Sequence, residues 1–128
     1  MNPLNDITLI VGASENSARY SNMAAHKLLA NGFKIKCFAN RAGNIQGHSI
    51  ETSLPEANSI HTITMYVGPK NQADLINKLI ELNPKRIIFN PGTENPEFEQ
   101  EAQKKGIEVI EACTLVMLSA GNYSKSKA

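Results

Sequence analysis

A loop suited to holding phosphate follows the first apolar segment of the chain. Residues 7–11 are aliphatic or β-branched, and they lead into the small residues 12–14, Gly-Ala-Ser. Arg19 comes next, and Ser21 precedes an apolar helical pattern that we expect it to cap. Backbone N–H groups and the positive end of a helix dipole converge where a strand, a loop and a helix meet in this way. The pattern predicts a site for a phosphorylated ligand, with a nucleotide-containing ligand expected.

The residues after the second apolar segment indicate which ligand fits. Nicotinamide enzymes usually place an acidic residue there for the ribose diol, whereas this chain has Asn40 and Arg41. An arginine at this point suits an additional ribose phosphate, either the 2′-phosphate of NADP or the 3′-phosphate of coenzyme A. The dinucleotide fingerprint G-x-G-x-x-G is missing, because Ser14 and Ser17 stand at its second and third glycine positions. For Arg19 and Arg41 alike, the alternative is an ordinary solvated arginine.

No catalytic or metal-binding constellation is visible in the sequence. The three histidines, His26, His48 and His61, have no evident carboxylate partner, and neither H-x-x-H spacing nor a G-x-S-x-G motif occurs. Cys113 follows the last apolar segment, where a buried structural thiol is the commoner role and a ligand-facing thiol the alternative. We therefore predict no catalytic residues and no metal site.

Composition restricts the class of protein. A chain of 128 residues with 41% hydrophobic and 20% charged residues is typical of one globular domain. Its formal net charge of +1 and few aromatic residues argue against nucleic acid as a partner. Two cysteines make no disulfide framework, and no segment approaches the ~20 apolar residues of a membrane span. We therefore expect a cytoplasmic protein with a small-molecule nucleotide ligand and no membrane association, while a protein partner stays open.

Five short apolar runs alternate with helical patterns, which predicts an α/β fold. Near-continuous β-branched runs are typical of strands that are covered on both faces, as in a parallel sheet. Helical patterns lie between them at residues 22–31, 72–82 and 96–105. This order predicts a doubly wound parallel five-stranded sheet with helices on both faces, in a single domain. The predicted strands are residues 7–11, 34–39, 61–67, 86–90 and 107–111.

Two regions depart from this alternation. Residues 40–60 contain two glycines and a proline but no long apolar stripe, so we predict a loop with one short turn at residues 53–57. The C-terminal residues are polar, so we predict a domain over residues 1–121 and a mobile tail over residues 122–128.

The predicted strand ends bring small and polar residues to one edge of the sheet. In a doubly wound sheet, ligands bind outside the carboxyl ends of the strands. A glycine after a strand is more often only a turn, but three of these four ends carry one, which favours a binding site. The four ends are Gly12-Ala13-Ser14, Asn40-Arg41, Val67-Gly68-Pro69 and Asn90-Pro91-Gly92.

A set of short motifs spans about residues 7–118. They are Gly12-Ala13-Ser14 with Arg19-Tyr20-Ser21, Gly32-Phe33, Gly47 before Ser53-Leu54-Pro55, Asn90-Pro91-Gly92 with Asn95, Ala102 with Gly106, and Cys113-Thr114. None is specific alone, but together they resemble the small single-domain CoA-binding proteins of the succinyl-CoA-synthetase-like CoA-binding superfamily. The chain departs from that family at Arg41, where a proline is usual, at His61, where an aspartate is usual, and at Asn90, where a glutamine is frequent.

The resemblance implies a Rossmann-like domain that binds coenzyme A or an acyl-CoA. It implies a pyrophosphate site at Gly12, Ala13, Ser14 and Arg19, with Ser21 at the helix start. It also implies a ribose-phosphate site at Asn40 and Arg41, an adenosine site at Val67, Gly68 and Pro69, and a pantetheine site at Asn90, Pro91 and Gly92.

From the residues and the resemblance together, we expect a non-catalytic CoA-binding domain that acts as a carrier, sensor or partner subunit. Two alternatives stay open. An NADP- or other nucleotide-dependent oxidoreductase would also use Arg41, but its fingerprint is missing from the first loop. A degenerate Rossmann-like domain would instead bind another protein and no cofactor.

Overall fold

A seven-stranded, mostly parallel sheet forms the centre of the molecule. The structure is a computed structural model that describes residues 6–125. Its strands are β1 (Ile7–Val11), β2 (Lys34–Phe38), β3 (Gly43–Ile45), β4 (His48–Glu51), β5 (Thr62–Met65), β6 (Arg86–Phe89) and β7 (Glu108–Glu111). They lie in the order β3-β4-β2-β1-β5-β6-β7, with β3 antiparallel to β4 and the other pairs parallel. The winding reverses at β1, since β2 lies on one side of it and β5 on the other.

Four helices cover the two faces of this sheet. They are α1 (Tyr20–Ala30), α2 (Ile76–Glu81), α3 (Pro96–Lys104) and α4 (Thr114–Ala120). Helix α1 contacts α4 on one face and α2 contacts α3 on the other, and each pair encloses its own hydrophobic cluster. The predicted doubly wound α/β fold with helices on both faces is therefore confirmed.

The prediction of five strands is wrong, because β3 and β4 form a hairpin inside the segment that we predicted to be a loop. Gln46 and Gly47 connect the two strands with positive φ angles of 51° and 85°, as in a two-residue type I′ turn. Ile45 and Ile50 are each 2% exposed and anchor the hairpin on the α1–α4 side of the sheet. The remaining hairpin residues are mostly polar or glycine, so the segment lacks the apolar run that identified the other strands.

The helix predictions also need correction. The pattern predicts a helix over residues 72–82, but α2 begins only at Ile76. Turns precede it around the buried Gln72, whose side-chain amide donates to the carbonyl oxygens of Val67 and Thr93 at 2.7 and 2.9 Å. Helix α4 was not predicted, because seven largely apolar residues are too few to show a helical period.

Tyr123 packs inside the domain, beyond the boundary that we predicted at residue 121. Its side chain is 2% exposed, and its hydroxyl oxygen lies 2.6 Å from that of Thr8. The fully buried Arg86 donates from Nη1 to the Tyr123 carbonyl oxygen at 2.7 Å and lies 4.4 Å from the centre of its ring. A buried guanidinium needs such partners, because its charge has lost its water. The packed domain thus continues at least to Tyr123, and residues 126–128 of the predicted tail lie outside the described residues.

Replacing Tyr123 with alanine is expected to lower the free energy of unfolding by about 3–5 kcal/mol, the usual cost of removing a buried aromatic ring. The ring also packs edge-to-face on Phe33, with centroids 4.8 Å apart. Tyr123→Phe keeps the ring and loses the hydroxyl that lies 2.6 Å from that of Thr8, so it should cost about 1 kcal/mol. Urea unfolding followed by circular dichroism measures both, and a Tyr123→Ala variant as stable as the wild type would contradict this packing.

Candidate functional site

A cleft of about 670 Å³ opens at the carboxyl ends of β1, β2 and β5, beside the start of α1. We call it the β1–α1 cleft. Its volume is in the range of small-molecule sites, and it lies where the winding of the sheet reverses, as expected for a doubly wound fold. Eight of the residues predicted from the sequence line it: Gly12, Ala13, Ser14, Arg19, Ser21, Asn40, Arg41 and Pro91.

The residues that line the cleft and the residues predicted from the sequence overlap only in part. Five predicted residues do not line it: Val67, Gly68, Pro69, Asn90 and Gly92. Eight lining residues were not predicted: Glu15, Asn16, Tyr20, Ala39, Ala42, Ile50, Tyr66 and Thr93. Most of them adjoin predicted positions along the chain, so including whole strand-end loops would have found them. Ile50 could only be found once the hairpin was known.

The first two backbone N–H groups after β1 already donate hydrogen bonds to the neighbouring strand β2. The N–H groups of Gly12 and Ala13 both donate to the carbonyl oxygen of Phe38, at 2.9 and 3.1 Å. Gly12 has a φ of +94°, and a Cβ atom there would lie 2.9 Å from the Val67 side chain and 3.0 Å from the Tyr66 backbone. Glycine is therefore required for close packing of strand ends, and an anion has to find its donors further along the loop.

Those donors are Ser14 and the first residues of α1. Within residues 6–125, the backbone N–H groups of Ser14, Tyr20 and Ser21 have no hydrogen-bond acceptor. All three residues line the β1–α1 cleft. Unpaired N–H groups at a helix start, aligned with the helix dipole, attract a negatively charged group.

Helix α1 begins without a side-chain cap, so the prediction that Ser21 caps it is wrong. Arg19 occupies the N-cap position without a capping hydrogen bond, and Ser21 is the second residue of the helix. Helix α3 is different: the Asn95 side chain accepts from the Phe98 N–H at 3.3 Å, and two glutamates lie in its first turn. The first turn of α1 has no acidic residue. An anion is therefore favoured at α1 over α3.

Two asparagines hold the loop between β1 and α1 in shape. Asn22, which is 4% exposed, donates from Nδ2 to the Ser14 carbonyl oxygen at 2.9 Å. The Oδ1 atom of Asn16 accepts from the Ala18 N–H at 2.9 Å. Because the protein's own side chains order the loop, binding costs less conformational entropy.

The charged residues of the cleft are two arginines and one glutamate. Arg19, Arg41 and Glu15 all line it and are exposed to solvent. The net charge of these three side chains is positive. The Glu15 carboxylate already has a hydrogen-bond partner, since its Oε2 atom accepts from the Asn44 N–H at 2.9 Å. The electrostatics of the cleft therefore favour an anionic ligand.

Asn90 joins three elements behind the cleft. Its Nδ2 atom donates to the Thr64 hydroxyl and the Met65 carbonyl oxygen, both at 2.7 Å. Its Oδ1 atom accepts from the Thr114 N–H at 2.8 Å, and the residue is 2% exposed. The Asn90 side chain thus ties β5, β6 and the start of α4 together, and Pro91 is the neighbour that reaches the cleft.

Tyr66 lines the cleft, but its hydroxyl group is buried in the protein. Its oxygen is buried and has no hydrogen-bond partner within the described part of the chain. Burial raises the pKa of Tyr66 to about 12, against the smaller opposing effect of the Thr64 and Thr114 hydroxyls. The phenol therefore stays protonated at neutral pH.

The two cysteines are both free thiols. Cys37 is buried in β2, and burial raises its pKa to about 11, so it is protonated and unreactive at neutral pH. Cys113 is partly exposed before α4 and does not line the β1–α1 cleft. In residues 6–125, no group of three or more histidine, cysteine or acidic side chains is arranged to hold a metal ion. No helix of that range is long and apolar enough to cross a membrane.

The strand order, the two helical layers and the cleft at the reversal point define a small Rossmann-like α/β domain. The chain matches the CoA binding domain family over residues 7–119, nearly its whole length. It belongs to that family, which confirms the resemblance found from the sequence.

Solved structures give the same picture of the fold. An uncharacterized protein is 41% identical, aligns over 92% of this chain and 98% of that chain, and has a TM-score of 0.89. A conserved hypothetical protein from Pyrococcus furiosus is 29% identical over 87% of this chain and 97% of that one, with a TM-score of 0.75. An oxidoreductase from Bacillus cereus is 19% identical over 82% of this chain but only 34% of its own, with a TM-score of 0.57, and shares the fold alone. No curated protein matches the chain significantly.

Asn90→Ala is expected to lower the free energy of unfolding by about 1–3 kcal/mol for each buried partner that it leaves unpaired. Asn77 is a matched control, because it is exposed on α2, and Asn77→Ala should change stability by less than about 0.5 kcal/mol. Thermal and urea unfolding of the two variants provide the comparison. Equal stability of Asn90→Ala and Asn77→Ala would show that the side chain does not join these elements.

Proposed function

We propose that this protein binds coenzyme A or an acyl-CoA in the β1–α1 cleft. The observation that carries the proposal is the group of unpaired backbone donors at Ser14, Tyr20 and Ser21 beside Arg19. Family membership supports coenzyme A as the ligand, because the whole domain matches the CoA binding domain family.

The diphosphate of coenzyme A is assigned to the start of α1. Neutral N–H groups at a helix N-terminus bind phosphate oxygens without a charge of their own. Arg19 stands at the N-cap position, and its planar guanidinium suits bidentate hydrogen bonds to two phosphate oxygens. Gly12 and Ala13 support this site through the backbone, since their own N–H groups are bonded to Phe38.

The ribose 3′-phosphate is assigned to Asn40 and Arg41. Both residues follow β2, line the cleft and are exposed. An amide and a guanidinium supply several donors and one positive charge to a phosphate monoester. The family resemblance further suggests Val67, Gly68 and Pro69 for the adenosine.

The pantetheine arm is assigned to the side of the cleft that Pro91 lines. Gly92 follows, although its N–H already donates to the Glu94 side chain at 2.9 Å. Asn90 supports this side from behind through its hydrogen bonds to the protein.

A non-catalytic role as a carrier, sensor or partner subunit fits these residues. The residues that line the cleft include no histidine and no cysteine, and their one carboxylate, on Glu15, is bonded to Asn44. A nucleophile with its general base, which acyl transfer requires, is not present among them.

One observation keeps an NADP-dependent activity as a second candidate. Arg41 after β2 suits the 2′-phosphate of NADP as well as the 3′-phosphate of coenzyme A. The first loop, however, lacks the glycines of the dinucleotide fingerprint. A domain that binds a protein and no cofactor would respond to neither ligand.

A thermal-shift panel with coenzyme A, acetyl-CoA, NADP, NAD and ATP tests the choice of ligand. We expect coenzyme A or acetyl-CoA to raise the unfolding midpoint most, because a ligand of the folded state stabilises it according to its affinity. A larger shift with NADP would favour the oxidoreductase alternative. No shift with any ligand, together with no heat in calorimetry with coenzyme A, would overturn the proposal.

Arg41 is tested by comparing coenzyme A with dephospho-CoA, which lacks the 3′-phosphate. We expect dephospho-CoA to bind the wild type more weakly by about 1.5–3 kcal/mol, the value of a charged hydrogen bond. Arg41→Ala should weaken coenzyme A by a similar amount and remove its advantage over dephospho-CoA. Lys78→Ala, on the exposed face of α2, is the charge-matched control and should bind both ligands as the wild type does. Equal affinities of the wild type for both ligands would exclude this role.

A further inference from the structure

Glu15 links the two sides of the β1–α1 cleft. It lies in the loop after β1, and its Oε2 atom accepts from the N–H of Asn44, 29 residues away in β3, at 2.9 Å. Arg41 lies on the short connection between β2 and β3. The hydrogen bond from Asn44 to Glu15 therefore holds the β3 end of the connection on which Arg41 lies.

The chemistry of Glu15 excludes a direct contact with phosphate. An ionised carboxylate only accepts hydrogen bonds, and its negative charge repels a phosphate group placed in the same cleft. Glu15 nevertheless lines this cleft, next to two arginines that favour an anion. Its contribution to binding therefore has to act through the backbone that it holds.

Gly43 provides the space that this contact needs. A Cβ atom at Gly43 would lie 2.8 Å from both Cγ and Cδ of Glu15, which is shorter than a real Cβ contact. The φ angle of Gly43 is not in the left-handed region, unlike that of Gly47. The backbone therefore does not demand glycine at position 43, and the Glu15 side chain is what an added methyl group would displace.

We propose that Glu15 is a positioning residue that makes the cleft selective for ligands with a phosphate monoester on the ribose. By holding the β2–β3 connection through Asn44, it keeps Arg41 on the cleft side facing the first loop. The inference rests on the proposed function, because it concerns the same cleft and the same ligand. Beyond the proposed function, Glu15 would control the selection of the ribose phosphate through the hairpin.

Four variants separate this role from a general effect on charge or folding. Glu15→Ala removes the acceptor, whereas Glu15→Gln keeps an acceptor oxygen and removes the charge. Gly43→Ala displaces the Glu15 side chain, and the double variant Glu15→Ala/Gly43→Ala tests whether both changes act on one contact. Glu81→Ala, at the exposed end of α2, is the matched control. Calorimetry with coenzyme A and with dephospho-CoA is the readout, and unfolding midpoints without ligand check that each variant folds.

We expect Glu15→Ala and Gly43→Ala each to weaken coenzyme A by roughly three- to tenfold, the scale of one hydrogen bond. Dephospho-CoA should change by less than about twofold, because it has no phosphate for Arg41. Glu15→Gln should bind coenzyme A at least as tightly as the wild type. The double variant should be no weaker than Glu15→Ala alone, since the methyl group then has nothing to displace.

Three results would overturn the inference while leaving the proposed function intact. One is wild-type affinity for coenzyme A in Glu15→Ala. Another is an equal loss for coenzyme A and dephospho-CoA, which would indicate a general role in folding or loop order. The third is additive losses in the double variant. A wild-type protein that binds no coenzyme A would instead overturn the proposed function, and the inference with it.

Discussion

The position of β1 between β2 and β5 is the constraint on which the candidate site depends. Its last residue, Val11, accepts from the Tyr66 N–H at 2.8 Å, while the next two N–H groups, of Gly12 and Ala13, donate to Phe38. The chain can leave such a crowded position only through a residue without a side chain, because a Cβ atom at Gly12 would meet Tyr66 and Val67, which follow β5. Ser14 is consequently the first residue whose N–H is left for a ligand.

Buried polar groups stabilise the sheet at its carboxyl edge and at its opposite edge. At the carboxyl edge, Asn90 and the Thr64 and Thr114 hydroxyls bond one another and hold α4 in place. At the opposite edge, Arg86 is held by the hydroxyl of Thr62 at 2.7 Å and by the carbonyl oxygen of Tyr123. A buried polar group that loses its partner is costly. Each network therefore favours one arrangement of its strands, and this keeps the cleft preformed.

The sequence predicted the parts of the molecule that rest on continuous apolar runs. Strand β1 was placed at its observed ends, and the doubly wound order followed from alternation with helices. The hairpin was missed because only two buried residues, Ile45 and Ile50, anchor it. Its turn residues could not be distinguished from the other glycines and polar residues of the segment. The hydrogen bond between Glu15 and Asn44 could not be predicted either, because Asn44 approaches Glu15 only after the hairpin has formed. The uncapped start of α1 was likewise invisible, since Ser21 has the right type for a cap but lies inside the helix.

In the proposed complex, recognition is divided between neutral and charged groups of the cleft. Exposed arginines such as Arg19 and Arg41 are screened by water until a ligand covers them, and a charged hydrogen bond to phosphate then contributes about 1.5–3 kcal/mol. Backbone N–H groups at a helix start carry no full charge to desolvate and need no side-chain ordering, so they can supply much of the affinity for a diphosphate. The arginines then determine the choice between related anions and also raise the rate of association. A small domain with a nearly neutral overall charge can in this way bind a highly charged ligand without an extended basic surface.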